Sequence, residues 1–153
     1  MNKFIGLALC VFFGGCDAVP SCSDSSMTGL VMDVASDDNN NFKKYIEISG
    51  IEETSFDEKV KTKLCVATIV PTEYTKSIFK SNSVLDFSSP YNIISFAGSA
   101  ELSEIEYLNL TYKIYYDEMN KDYGMKPLAI DASRLRDYVN KVSSLEVLTN
   151  SKE

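Results

Sequence analysis

The chain has 153 residues, 44% hydrophobic and 24% charged, and a formal charge of -7. That length bounds one domain, and the composition is that of an ordinary globular protein. An acidic balance argues against a nucleic-acid partner, because a phosphate backbone is held by Lys and Arg that displace its counterions. It also argues against flat adsorption on anionic lipid. The chain has no His and no Trp, so the commonest general base and metal ligand is missing.

Residues 1–16 read MNKFIGLALCVFFGGC. Lys3 supplies a positive start, and Phe4 to Phe13 is an apolar run of secretory-signal length, too short to span a bilayer as a helix. Gly14, Gly15 and Cys16 resemble a bacterial lipobox, in which two small residues precede a lipidated cysteine. Phe13 departs from that pattern, where Leu is usual. Cys10 is the rival, but Leu9 before it is too large and the apolar run ahead of it too short. The expectation is a signal peptide over 1–15, removal of which takes Lys3 and no acid, and a lipid-modified Cys16 opening a short linker over 16–24. Asp17 follows the cysteine. In enterobacterial lipoproteins Asp there favours retention in the inner membrane, and the outer membrane is the alternative. The domain would face the periplasm.

Cys22 and Cys65 then remain. An exported compartment is oxidising, so one structural disulfide between them is expected. A redox or metal pair needs CxxC spacing or further ligands.

Along the rest of the chain, any of Ser23, Asp24 and Ser25 suits a helix cap. Met27, Leu30, Val31, Val34 and Ala35 make one apolar stripe of a helix over about 25–36. Asp37 to Asn41 is a polar turn. Phe42 to Ile51 alternates as a strand, followed by a polar turn region over 55–61. Residues 61–70 form a second strand, with Leu64, Val66 and Val70 on one face and Cys65, Ala67 and Ile69 on the other. Both faces are apolar, so a central strand covered on both sides is expected. A turn or short helix near 72–79 and short strands near 83–87 and 91–97 fill a stretch broken by Ser, Asn, Gly and Pro. Residues 104–117 alternate as a long strand, turn at 118–122 and return over 123–130, where Pro127 points to a sheet edge. Asp131 caps a final helix with Leu135, Tyr138, Val139 and Val142 inside. A frayed tail follows over 146–153. The fold class is α+β: an antiparallel sheet of four to six strands packed with an N-terminal and a C-terminal helix, in one domain over 25–145.

The run Pro20–Ser21–Cys22–Ser23–Asp24, the pair Leu30–Val31, the segment Ile48–Ser49–Gly50–Ile51 and the core Cys65–Val66–Ala67 resemble a group of small Gram-negative lipoproteins. The resemblance covers about residues 1–70 and, loosely, 104–130. It departs at Lys63–Leu64 and over 71–100. It implies the lipid anchor and the disulfide, and no activity.

Carboxylates come in adjacent pairs, Asp37–Asp38, Glu52–Glu53, Asp57–Glu58 and Asp117–Glu118, on expected turns or polar edges. A glycosidase needs two facing acids across a cleft, and adjacent solvated acids do not supply them. The run Asp37 to Asn41 lacks the alternating ligands of a calcium loop. No nucleophile elbow is present. No catalytic residue, metal ligand or cofactor is assigned. Nine tyrosines remain, of which Tyr45 and Tyr115 fall on outward strand faces and are the candidate partner surface, since exposed Tyr offers contact area at low entropic cost. Tyr112 and Tyr116 fall inside. The reading is a non-enzymatic, membrane-anchored module that binds an envelope protein, as an accessory, inhibitor or immunity factor. The alternative is a periplasmic carrier with an apolar groove between sheet and helix.

Overall fold

The computed structural model describes residues 19–36, 42–82 and 90–150. The expected signal peptide, Cys16, Asp17, the polar turn after Ser36, the expected strand near 83–87 and the last three residues lie outside the described residues.

The architecture is α+β. Helix α1 (Ser25–Ser36) and a single helical turn α2 (Phe42–Tyr45) lead into strand β1 (Ile46–Asp57), which turns back as β2 (Thr62–Pro71). Two helices follow, α3 (Glu73–Asn82) and α4 (Pro90–Ser103), then the hairpin β3 (Leu108–Asp117) and β4 (Asp122–Pro127), and the long helix α5 (Ala129–Asn150). The four strands pair antiparallel in sequence order.

Asp24 starts α1. Its Oδ1 accepts from the Ser26 N–H at 3.0 Å and the Ser26 hydroxyl at 2.8 Å, satisfying donors that a helix start leaves free. These bonds hold the Asp24 carboxyl below its usual pKa. Met27, Val31 and Met32 turn inward. Leu30, expected in that stripe, is 41% exposed.

The disulfide Cys22–Cys65 is formed, with Cα atoms 5.9 Å apart. It ties the start of α1 to the buried face of β2, where Cys65 and Ala67 are fully covered and Ile69 nearly so. Beside it the Tyr112 hydroxyl donates to the Cys22 carbonyl at 2.7 Å. Burial raises the Tyr112 pKa to about 12, so this donor keeps its proton.

Several expectations need correction. The strand expected from Phe42 begins at Ile46, because Phe42 and Tyr45 stand i, i+3 on the turn of α2 and share one buried face, at 2% and 1% exposure. Beyond Ile51, β1 continues to Asp57, carried through its polar residues by pairing with β2. Bulges between Ile48 and Gly50 and between Glu53 and Ser55 shift its two-residue period. That is why Ile48, Ile51 and Phe56 share the inner face despite uneven spacing. Strand β2 is central, but Leu64, Val66 and Val70 are only half-buried, so the expected cover on both faces is absent among the described residues. The strand expected near 91–97 is part of α4, which starts on Pro90, a residue preorganised for the first helical position. Residues 104–107 precede β3 and do not belong to it. Asp131 does not cap α5: it sits in the first turn, and its Oδ2 accepts the Thr111 N–H of β3 at 2.9 Å. The helix runs on to Asn150, so residues 146–150 continue α5 where a frayed tail was expected.

The core lies between the sheet and α1, α2, α3 and α5. Leu110, Tyr112 and Ile114 of β3 meet Leu135, Val139 and Val142 of α5, all essentially buried; burial of such a side chain contributes about 1.5–3 kcal/mol. The side chains of the buried polar residues Thr75, Asn82 and Ser99 are each paired. The Thr75 hydroxyl donates to the Tyr45 carbonyl at 2.6 Å, Asn82 to the Thr149 hydroxyl at 2.7 Å, and the Ser99 hydroxyl to the Phe79 carbonyl at 2.9 Å. These bonds join α3 to α2, α5 and α4.

The disulfide closes a separation of 43 residues, for which loop-closure entropy gives about 4 kcal/mol. A Cys65→Ser variant should therefore unfold at a markedly lower urea concentration than the parent, by a few kcal/mol in extrapolated stability. A reducing agent should shift the parent to the same midpoint and leave the variant unmoved.

Candidate partner surface

Two hairpin tips stand side by side at one end of the sheet, because β1–β2 and β3–β4 turn at the same end of an antiparallel stack. Both turns are built alike. Asp57 Oδ1 accepts from the Lys59 and Val60 N–H groups at 3.0 and 3.4 Å, and Asp117 Oδ1 from Met119 and Asn120 at 2.9 and 3.4 Å. Each turn closes on a lysine with positive φ, Lys61 at 46° and Lys121 at 52°, a conformation that costs a side chain about 1–2 kcal/mol. The bonds lower the Asp117 pKa, the Asn120 side chain contributing most. Held this way, Val60 is 60% and Met119 is 94% exposed.

Behind the tips the inner face of the sheet extends past its helical cover. Phe56 pairs with Lys63 in register and is 48% exposed. Lys63 lies 5.5 Å from the Phe56 ring centroid and bonds Glu53 at 3.0 Å. Tyr116 packs edge-on against Tyr123 with ring centroids 5.3 Å apart and remains 40% exposed. Tyr116 was expected inside. It does lie on the inner face with Tyr112, but beyond the reach of the helices. The result is an exposed end with Phe56, Val60, Tyr116 and Met119 set among lysines and acids.

The expected surface residues fall elsewhere. Tyr115 stands on the opposite face, half-buried, with its ring over Gly124: a Cβ at that glycine would lie 2.9 Å from the Tyr115 Cζ. Tyr45 is not on the surface at all. Its hydroxyl donates to Glu146 of α5, as does that of Tyr74 from α3. Lys44 joins them, its Nζ 2.6 Å from Glu146 Oε1 and 4.6 Å from the Tyr74 ring centroid. The three groups meet on one carboxylate. Burial pushes the Glu146 pKa up, but hydrogen bonds from Lys44, Tyr45 and Tyr74 outweigh it and bring it to about 2. Sequence reasoning missed this cluster because Glu146 was assigned to the tail and Tyr45 to a strand. The signal available was the continued apolar spacing of Leu145, Leu148 and the preceding stripe.

Glu146 is engaged by three donors, which makes it a structural latch between α5, α2 and α3. No group of three or more acids or cysteines among the described residues is placed to hold a metal ion. The seam between the sheet and α5 lined by Ile46, Ile69, Leu108 and Tyr138 is closed, with a cavity volume of about 0 Å³. No described helix is long and apolar enough to cross a membrane. Comparison with protein-family models, with curated proteins and with solved structures returns no match.

The latch has a pH signature. The folded Glu146 pKa lies below its ordinary 4.5, so its contribution is present above about pH 4.5 and is lost as pH falls toward 2. Solvent reaches Lys44 and screens the pair, so the latch should contribute well short of the full value of the shift. Glu146→Gln should lower the urea midpoint at neutral pH and flatten the fall in stability between neutral pH and pH 3. Equal acid sensitivity in the two proteins would contradict this.

Proposed function

We propose that the chain is a lipid-anchored envelope protein, held by Cys16 and facing the periplasm, whose folded domain binds another envelope protein without catalysing a reaction. The observation that carries the binding reading is the hairpin end. Phe56, Val60, Tyr116 and Met119 are exposed together, on turns held in shape by Asp57 and Asp117. Large apolar and aromatic side chains on a rigid end supply contact area with little entropy to lose on binding. The mixed lysines and acids around them suit a partner with complementary charges, which tunes encounter more than affinity. The anchor rests on the lipobox-like Gly14–Gly15–Cys16 and the apolar run before it. A disulfide-stapled domain fits an oxidising compartment.

Two experiments divide the proposal. Metabolic labelling with an alkyne fatty acid should mark the full chain and fail to mark Cys16→Ser; labelling unaffected by that change would refute the anchor. A photo-crosslinking amino acid at position 119 should form one dominant adduct in living cells. Val60→Asp, on the neighbouring tip and 60% exposed, should abolish that adduct while leaving the thermal midpoint within about 2 °C, as a substitution at an exposed site does. A crosslinker at position 115, on the other face, should give no such adduct. Equal capture from both faces would overturn the assignment of the surface.

A further inference from the structure

We propose that the seam between α4 and α5 binds a long-chain fatty acid, tail along the seam and carboxylate at the Arg134 end. This goes beyond the protein-binding reading and uses a different surface.

Helix α5 presents Arg134, Tyr138, Lys141, Leu145 and Leu148 at i, i+4, i+7, i+11 and i+14, one stripe about 21 Å long at 1.5 Å per residue. Two hollows open along it. The larger, about 360 Å³, has Leu102, Leu145 and Leu148 in its lining. The smaller, about 170 Å³, has Ile105, Leu108, Arg134, Asp137 and Tyr138. Both are lined by Glu101, Leu102 and Lys141, so they adjoin. The larger alone is within the size range of small-ligand sites.

The polar groups are unevenly placed. Lys141 is balanced where the hollows meet, 3.2 Å from Asp137 and 3.9 Å from Glu101. Arg134 enters no ion pair among the described residues and is exposed at the end of the smaller hollow. Tyr138, one turn along from it, is 3% exposed, and its hydroxyl has no hydrogen-bond partner among the described residues. A buried hydroxyl without a partner is unusual in a folded protein. At one end of the seam stands Arg134, outside any ion pair among the described residues because Lys141 holds the neighbouring Asp137 and Glu101, with the enclosed Tyr138 hydroxyl beneath it still lacking an acceptor; the other end offers leucines. The matching ligand is long, apolar and anionic at one end. A guanidinium holds a carboxylate by charge-assisted hydrogen bonds, and the leucines take the chain.

The test uses the full chain carrying Cys16→Ser, so that no attached acyl group competes. Titration with dansyl-labelled undecanoic acid should give saturable, blue-shifted emission at one probe per chain. Arg134→Glu should weaken binding by about tenfold or more, and the milder Arg134→Gln should act in the same direction. Leu148→Asp should weaken it from the tail end. Met119→Asp, at the hairpin tips, should leave it unchanged. Absence of binding, uptake that rises without saturating, or equal affinity in parent, Arg134→Gln and Leu148→Asp would each overturn the proposal.

Discussion

The covalent tie between Cys22 and Cys65 is the constraint on which the rest of the structure depends. It fixes the turn just ahead of α1 to the buried face of β2, at a point where both cysteines are buried. From there the inner face of the sheet is determined. Cys65, Ala67 and Ile69 must look toward the helices, and their register partners Ile48 and Ile51 on β1 and Leu110 and Tyr112 on β3 follow them. The Tyr112 hydroxyl then finds its acceptor on Cys22 itself. A small domain has little stability in reserve, and a cross-link on a central strand of the four-stranded sheet acts on the elements packed against that sheet.

The helices complete the cover unevenly, and the unevenness creates the surfaces. Helices α2, α3 and α5 are joined through Glu146 and through the Thr75 and Asn82 bonds at one end of the sheet. At the other end the inner face runs on without helical cover among the described residues, and Phe56 and Tyr116 emerge from it. The same period-two alternation that buries Tyr112 therefore exposes Tyr116 two pairs further along. The outer face carries Tyr115, but that ring lies over Gly124 and so supports the β3–β4 pair.

Much of this was legible from local pattern. Strand β2, strand β3 and the stripe of α5 follow from short-range periodicity, the cysteine pairing from the count of cysteines left in an exported domain, and the return strand from its alternation, although it was expected over 123–130 and ends at Pro127, where α5 takes over from Ala129. What failed did so where a local signal was overruled by tertiary pairing. Phe42 to Ile51 reads as one alternating run, yet a helical turn occupies its first four residues because Phe42 and Tyr45 both pack inward. The polar segment from Glu52 to Asp57 has little strand propensity, and β2 holds it extended by hydrogen bonds. Residues 90–103 contain Ile, Ser, Phe and Gly in an order that suits a strand as well as a helix, and only packing against α3 and α5 decides it. The candidate surface shows the same limit. Tyr45 and Tyr115 were chosen by face, whereas exposure depends on how far the helices reach, which no alternation records.

Hydrogen exchange on the full chain, oxidised and then reduced, tests the central claim most directly. If the tie between α1 and β2 organises the sheet, its reduction should accelerate exchange together, and by similar factors, in α1, across Cys65–Ala67 and across Leu110–Tyr112. Loss of protection confined to α1, with β2 and β3 exchanging as slowly as before, would show that the sheet stands without it and would contradict the account.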